Sequence, residues 1–181
     1  VSRARQVALL RGVNVGGRTR VPMARLRELV ETLGYEDVAT HLQSGNLVYT
    51  TTASPPAAAK AIAGAIAGDL GLNVAVLVRT PKEMAAIVDG NPFADRITDP
   101  RFMQVAFLSG TPPAAGIGAV DPEEFAPDEF AVGRREIYLL YPNGVQGAKL
   151  THAFWEKRLG LTATGRNWNT VTRLLELAEA P

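Results

Sequence analysis

Apolar residues recur along this chain in two rhythms. Mostly apolar stretches of strand length stand at 7–10, 47–50 and 72–78, and between them the spacing turns helical. Leu26, Leu29, Val30 and Leu33 lie at i, i+3, i+4 and i+7, one stripe on a helix predicted over 22–33. Pro22 suits its first position and Gly34 the position just past its end. A second helix is predicted from Ser54, as cap, and Pro55 to Gly71, with Ile62, Ile66 and Leu70 on one face and Ala59 and Ala63 beside them. Strands at 38–42 and 47–50 flank Gln43-Ser44-Gly45-Asn46, the composition of a tight hairpin turn. Residues 1–80 therefore read β-α-β-β-α-β, the split βαβ unit of ferredoxin-like folds.

A capping box at Thr80-Pro81-Lys82-Glu83 opens a third helix reaching residue 88, and Asn91-Pro92 with the polar stretch 94–100 reads as a connector. The element order then returns. A strand is expected at 102–108, then a broken helical crossover at 112–126 with a second capping box at Asp121-Pro122-Glu123-Glu124. Strands at 129–132 and 136–141 follow around Gly133-Arg134, then a helix over 148–159 closed by Gly160 and a short strand at 161–164. A last helix follows Asn167, with Trp168, Val171, Leu174, Leu175 and Ala178 on its apolar side. The expected fold class is α+β: two ferredoxin-like α/β plaits in tandem plus a C-terminal helix. The first plait is placed at 1–80, a helix and connector at 81–100, and the second plait with the terminal helix at 101–181.

Composition narrows what such a chain can do. With 46% apolar and 20% charged residues over 181 positions, it can fill a core and lacks the signature of disorder. The absence of cysteine excludes disulfides, thiol nucleophiles and thiolate metal sites. No run nears the ~18 apolar residues of a membrane span, and the N-terminal arginines precede no secretory apolar segment. A soluble, cytoplasmic protein with no membrane partner is expected. No histidine or carboxylate set has metal-ligand spacing, so no metal is expected, and the sequence names no cofactor.

Charge is unevenly placed. Arg3, Arg5, Arg11, Arg18, Arg20, Arg25 and Arg27 occur before any acidic residue, although the net charge of the whole chain is only +1. Two readings stand: an anion-attracting surface, or a solvated face in a chain that prefers arginine. The block overlaps the stretch Arg11-Gly12-Val13-Asn14-Val15-Gly16-Gly17 between the first strand and the first helix. Glycines there permit close backbone approach, successive N–H groups can form an anion-binding nest, and Arg11 offers a planar bidentate donor. The spacing is neither a dinucleotide-binding fingerprint nor a Walker loop.

Topology joins this loop to a second one. In a split βαβ sheet of order 4-1-3-2 with antiparallel neighbours, the end of the first strand lies beside the start of the third. The loops 11–17 and 43–46 are then expected on one edge. Arg11, Gly12, Asn14, Gly16, Gly17, Gln43, Ser44, Gly45 and Asn46 form the candidate ligand-binding set for a small phosphate- or carboxylate-bearing ligand. The alternative assigns these glycines and asparagines to turn geometry and Arg11 to a nearby carboxylate. His41 is the only histidine near this edge; it is either a general base or simply a surface or packed strand residue. Ser44 has no evident base, so no hydrolase triad is read, and whether the protein is an enzyme is left open.

Arg166, Asn167 and Trp168 make a second candidate. Asn167 is expected to cap the last helix and Trp168 to bury its ring. Arg166 is read at that helix's N-terminus, where the dipole disfavours a cation, so either a bound anion or a carboxylate from the first half is expected beside it, the latter making the segment an interdomain strut, which is the preferred reading.

The motifs Ala8-Leu9-Leu10-Arg11-Gly12-Val13-Asn14-Val15-Gly16-Gly17, Val21-Pro22-Met23, Gln43-Ser44-Gly45-Asn46, Asn91-Pro92-Phe93 and Arg166-Asn167-Trp168-Asn169-Thr170 closely resemble the family called domain of unknown function 1697, across essentially the whole chain and in order. The resemblance implies two α/β-plait subdomains and no established activity. Ala148 and Gly165 depart from it, standing where the family more often shows hydroxyl residues. Three functions remain in view: a small-anion binder, a nucleic-acid phosphate-backbone binder through the basic N-terminal region, and a ligand-free protein-interaction module. Nucleic acid is disfavoured, because base-stacking aromatics are absent from the first strand and only Tyr49 stands in the third. The sequence does not address oligomeric state.

Overall fold

A computed structural model describes residues 2–181. Among them are two four-stranded antiparallel sheets and six α-helices, a mixed α+β architecture. The chain divides into two compact units, Val1–Ala85 together with Leu174–Pro181, and Ala86–Arg173.

The first unit contains β1 (Ala4–Leu10), α1 (Met23–Thr32), β2 (Glu36–Thr40), β3 (Asn46–Thr51), α2 (Pro55–Leu70) and β4 (Val76–Arg79), with sheet order β2-β3-β1-β4. The unbroken apolar run of β1 matches its central place, since Val7, Ala8, Leu9 and Leu10 are all buried. Ala8, Leu10, Leu47 and Tyr49 pack with the α1 stripe of Leu26 and Val30 and with Ile62 and Ile66 of α2. α2 starts where Ser54 Oγ accepts the Ala57 N–H at 3.4 Å, and it stops at Gly71 in the left-handed region. The Thr80 capping box forms in both directions: Thr80 N donates to Glu83 Oε2 (2.8 Å) and Glu83 N to Thr80 Oγ1 (3.2 Å), opening α3 (Pro81–Asp89). Arg5 Nε donates to the Leu177 carbonyl at 3.1 Å, tying β1 to the chain's last residues.

The second unit holds β5 (Met103–Leu108), α4 (Ala114–Gly118), β6 (Glu129–Val132), β7 (Glu136–Leu140), α5 (His152–Leu159) and β8 (Ala163–Asn167), with sheet order β6-β7-β5-β8. The start of α6 (Trp168–Glu179) follows β8 directly. Ala106, Leu108, Ile137 and Leu139 pack beneath Trp155 and Leu159 of α5. The Trp155 ring stands edge-on to Phe130 and Phe154, with centroids 4.8 and 5.2 Å away. Its indole Nε1 is buried with no hydrogen-bond acceptor. The β6–β7 turn is closed by Glu136, whose carboxylate accepts the N–H groups of Arg134 and Arg135, both at 3.0 Å. A Cβ on Gly133 would lie 2.0 Å from that carboxylate, so a side chain there would have to displace Glu136 from the two N–H groups.

Several elements differ from the sequence expectation at their ends. β2 stops at Thr40, leaving Leu42 outside the ladder at φ 60°. β4 begins at Val76, because 72–75 is a connector whose Ala75 carbonyl accepts the Arg11 N–H (2.9 Å). α5 begins at His152 rather than at Ala148: Thr151 Oγ1 caps the Phe154 N–H (3.3 Å), and Gly147 at φ 75° holds the preceding residues in turns. The crossover contains α4 and a separate 3-10 turn, and Asp121 caps that turn through the Glu123 N–H (3.0 Å). β8 runs on to Asn167, pairing Arg166 with Val105 and Asn167 with Gln104.

Candidate functional site

Three segments meet where β1 ends. Leu10 N donates to the Gly45 carbonyl (2.8 Å) and Arg11 N to the Ala75 carbonyl (2.9 Å). Residues 11–21, the turn 41–46 and the connector 72–75 thus share one edge of the first unit's sheet, and the two loops singled out from sequence touch directly.

Asn14 is the joint between them. Its side-chain Nδ2 donates to the carbonyls of Gln43 (2.6 Å) and Val21 (2.9 Å), while Oδ1 accepts the Val21 N–H (2.9 Å). Asn14 sits at φ 56°, a conformation that asparagine tolerates better than most residues. Its own N–H donates to the Thr19 carbonyl (3.0 Å), closing a small hairpin. Val15 and Arg18 pair across that hairpin, and its tip is Gly16-Gly17, both at positive φ, as a primed turn requires.

The turn 41–46 is built just as locally. Asn46 is fully buried; its Nδ2 donates to the His41 carbonyl (2.8 Å) and to Ser44 Oγ (3.0 Å), and its carbonyl accepts the His41 N–H (3.0 Å). Gly45 is there for space. A Cβ would lie 2.6 Å from Val13 Cγ2 and 2.7 Å from Leu10 Cβ. His41 is half-buried within this turn. Of the candidate set, Asn14, Ser44, Gly45 and Asn46 therefore build the edge. Gly12, Gly16, Gly17 and Gln43 are exposed on it, and Arg11 is half-buried and engaged within the protein.

A groove of about 450 Å³ opens on this edge, lined by Asn14, Gly17, Arg20, Val21, Pro22 and Gln43. It reaches the start of α1, where Pro22 supplies no side-chain cap. The basic block sorts itself around it. Arg3 pairs with Glu36, Arg25 with Asp69 and Glu28, Arg27 Nη1 bonds Thr40 Oγ1 (2.6 Å), and Arg5 bonds the Leu177 carbonyl. The hydrogen bond from Arg25 holds the Asp69 carboxyl below the ordinary aspartate range. Arg18 and Arg20 are exposed, and their guanidinium groups have no hydrogen-bond or ion-pair partner among the described residues. The segments 11–21, 41–46 and 72–75 contain no carboxylate and no phenylalanine, tyrosine or tryptophan.

The sequence marks Arg18 and Arg20 only as members of the basic block, outside the candidate ligand-binding set. The signal available was their place immediately after the glycines; what sequence hides is which arginines of a block find partners. Val15 and Leu42, read from sequence as a loop residue and a strand end, are 65% and 57% exposed.

The second candidate resolves differently. Arg166 lies inside β8, not at a helix end. Its Nη1 donates back along the strand to Thr164 Oγ1 (2.7 Å) and the Gly165 carbonyl (2.9 Å), and burial pulls its pKa down to about 10. The expected conflict with the helix dipole does not arise, because strand pairing with β5 places Arg166 two residues before α6 begins. Asn167 does cap α6, accepting the Thr170 N–H at 3.0 Å, and Trp168 is half-buried on its first turn. No group of three or more histidine or carboxylate side chains able to hold a metal ion occurs among the described residues, and no helix described is long and apolar enough to cross a membrane.

Among solved structures, the chain is similar to a conserved bacterial protein, SP0830 from Streptococcus pneumoniae. The TM-score is 0.75 at 19% identity, with 98% of this chain and 100% of that one covered, a likeness of fold. No curated protein matches it. The model of the family described as protein of unknown function (DUF1697) matches residues 4–138, and the chain belongs to that family.

Proposed function

We propose that this protein binds a small anionic ligand, bearing phosphate or carboxylate, at the edge formed by residues 11–17 and 43–46. The observation that carries the reading is the fate of the basic block. The fold uses five of its arginines, and the two left without partners, Arg18 and Arg20, stand on an edge with no carboxylate. An unpaired guanidinium in such surroundings attracts anions and can hold one bidentately. Gln43 and the exposed backbone of Gly16 and Gly17 supply further polar contacts beside Arg20. We read Arg11 as orienting this edge from within. Both units are read as ferredoxin-like plaits in tandem, a reading supported by the shared sheet order of edge strand, two central strands and edge strand.

The test is a thermal-shift panel of inorganic phosphate, mononucleotides, sugar phosphates and small carboxylates on wild type and on Arg18→Ala/Arg20→Ala. Those side chains hold nothing in the fold, so the variant should melt with wild type in the absence of ligand. A ligand at one hundred times its dissociation constant stabilises by ~2.7 kcal/mol, a shift of roughly 5–10 °C for a chain of this size. That shift should shrink in the variant. Equal shifts in both proteins would remove Arg18 and Arg20 from the site, and no shift with any anion would end the reading.

A further inference from the structure

The groove leaves two features of the same edge unexplained. Val15 and Leu42 are the most exposed large apolar residues among those described, and neither lines the groove. Each neighbours one end of the Asn14–Gln43 hydrogen bond, so the two side chains belong to adjacent loops. Leu42 also stands at φ 60°, where a leucine backbone is disfavoured. It gains neither burial nor backbone preference from the fold, and such an outlier points to a role outside it. A metabolite seated in the groove would leave both residues in water.

Resting on the anion-binding reading above, we propose that this edge docks an acidic protein segment that also carries aliphatic side chains. The carboxylates of such a segment pair with Arg18 and Arg20, and its aliphatic residues cover Val15 and Leu42. Charge complementarity selects the occupant: three converging segments offer unpaired arginine and no acid. The apolar tips select against a bare polyanion. The absence of phenylalanine, tyrosine and tryptophan from those segments leaves only the half-buried His41 ring to stack on a base, a poor platform for single-stranded nucleic acid.

The test measures fluorescence anisotropy of four labelled probes: a peptide alternating Glu and Leu, poly-glutamate, poly-uridine, and vesicles of phosphatidylcholine with phosphatidylserine. Each is titrated with wild type, Arg18→Ala/Arg20→Ala and Val15→Thr/Leu42→Asn. Asparagine suits φ 60° better than leucine, so the last variant should fold at least as well as wild type. The Glu–Leu peptide should bind wild type most tightly, and each double variant should weaken it about tenfold. Poly-glutamate should respond to the arginine variant alone. Equal binding of poly-glutamate or poly-uridine, unaffected by Val15→Thr/Leu42→Asn, overturns the docking proposal and leaves the anion reading standing. Preference for vesicles replaces the protein partner with a lipid surface and also overturns it. Glu–Leu binding indifferent to Arg18→Ala/Arg20→Ala, or no binding of any probe, overturns the docking proposal, while the anion reading stands or falls on the thermal-shift panel.

Discussion

Asn14→Ala tests whether one side chain holds the loop edge together. The amide bonds both the N–H and the C=O of Val21, a fully buried residue, and it reaches across to the Gln43 carbonyl. Three neutral hydrogen bonds are each worth about 1 kcal/mol net. Alanine at φ 56° adds roughly 1 kcal/mol, because its Cβ crowds the carbonyl in the left-handed region. The expected destabilisation is roughly 3–4 kcal/mol, or about 10 °C in Tm for a protein of this length. Asn14→Gly separates the two parts: it loses the same three bonds without the conformational cost, and should recover roughly 1 kcal/mol of the loss. Urea unfolding followed by circular dichroism measures both variants, and amide exchange at Val21 should accelerate in both. An Asn14→Ala protein within about 1 kcal/mol of wild type, or a glycine variant no better than alanine, would refute this account of the edge.

Gly45→Ala forces a Cβ to 2.6 Å from Val13 Cγ2 and 2.7 Å from Leu10 Cβ at φ 85°, whereas Gly16→Ala meets nothing within 4 Å. The first should cost about 3 kcal/mol or more and the second about 1 kcal/mol; comparable losses in thermal melts would show that backbone strain, not contact, sets the price. Asp128 is half-buried, and desolvation raises its pKa above the ordinary aspartate value. A raised folded pKa means that the folded state favours the protonated acid. The stability it contributes is present below the unfolded value of about 3.9 and lost as pH rises through the folded one. Asp128→Asn should therefore melt above wild type at neutral pH, with the advantage gone near pH 3; a difference constant across that range would contradict the burial argument.

Much of the fold was legible because its elements announce themselves by more than one local rule. α2 has a serine cap, a proline in its first turn and a left-handed glycine at its end, all of which the structure uses. α3 begins with a capping box that forms reciprocally. The errors fall where a side chain chose between equivalent local options. Thr151 took the cap of α5 and shortened the helix expected from Ala148. Arg166 and Asn167 read as the approach to a helix, yet they extend β8, because a ladder to β5 offers their backbone more partners than a loop does. That pairing across distant sequence is invisible to a period or a cap rule.

At the candidate site only part of the conspicuous set is exposed: Gly12, Gly16, Gly17 and Gln43 face outward, while Asn14, Ser44, Gly45 and Asn46 build the edge. Glycine and asparagine drew attention because they are rare outside turns, and the structure uses Asn14, Gly45 and Asn46 to make turns. Arginine carries no positional signature; seven in a row without an acid predict only that some will be neutralised by the fold. Which ones depends on where Glu36, Asp69, Thr40 and the Leu177 carbonyl arrive, and these come from three separate places in the chain, β2, α2 and α6. Arg18 lies on the hairpin 14–19 and Arg20 just after it, both exposed, and the three segments of the edge contain no carboxylate to pair with them. The two classes of residue therefore call for opposite experimental signatures. Substituting a turn builder such as Asn14 should change stability first and binding only through it, whereas substituting Arg18 or Arg20 should change binding and salt dependence at constant stability. If the arginine variants lose stability as Asn14→Ala does, the assignment of builders and binders on this edge is reversed.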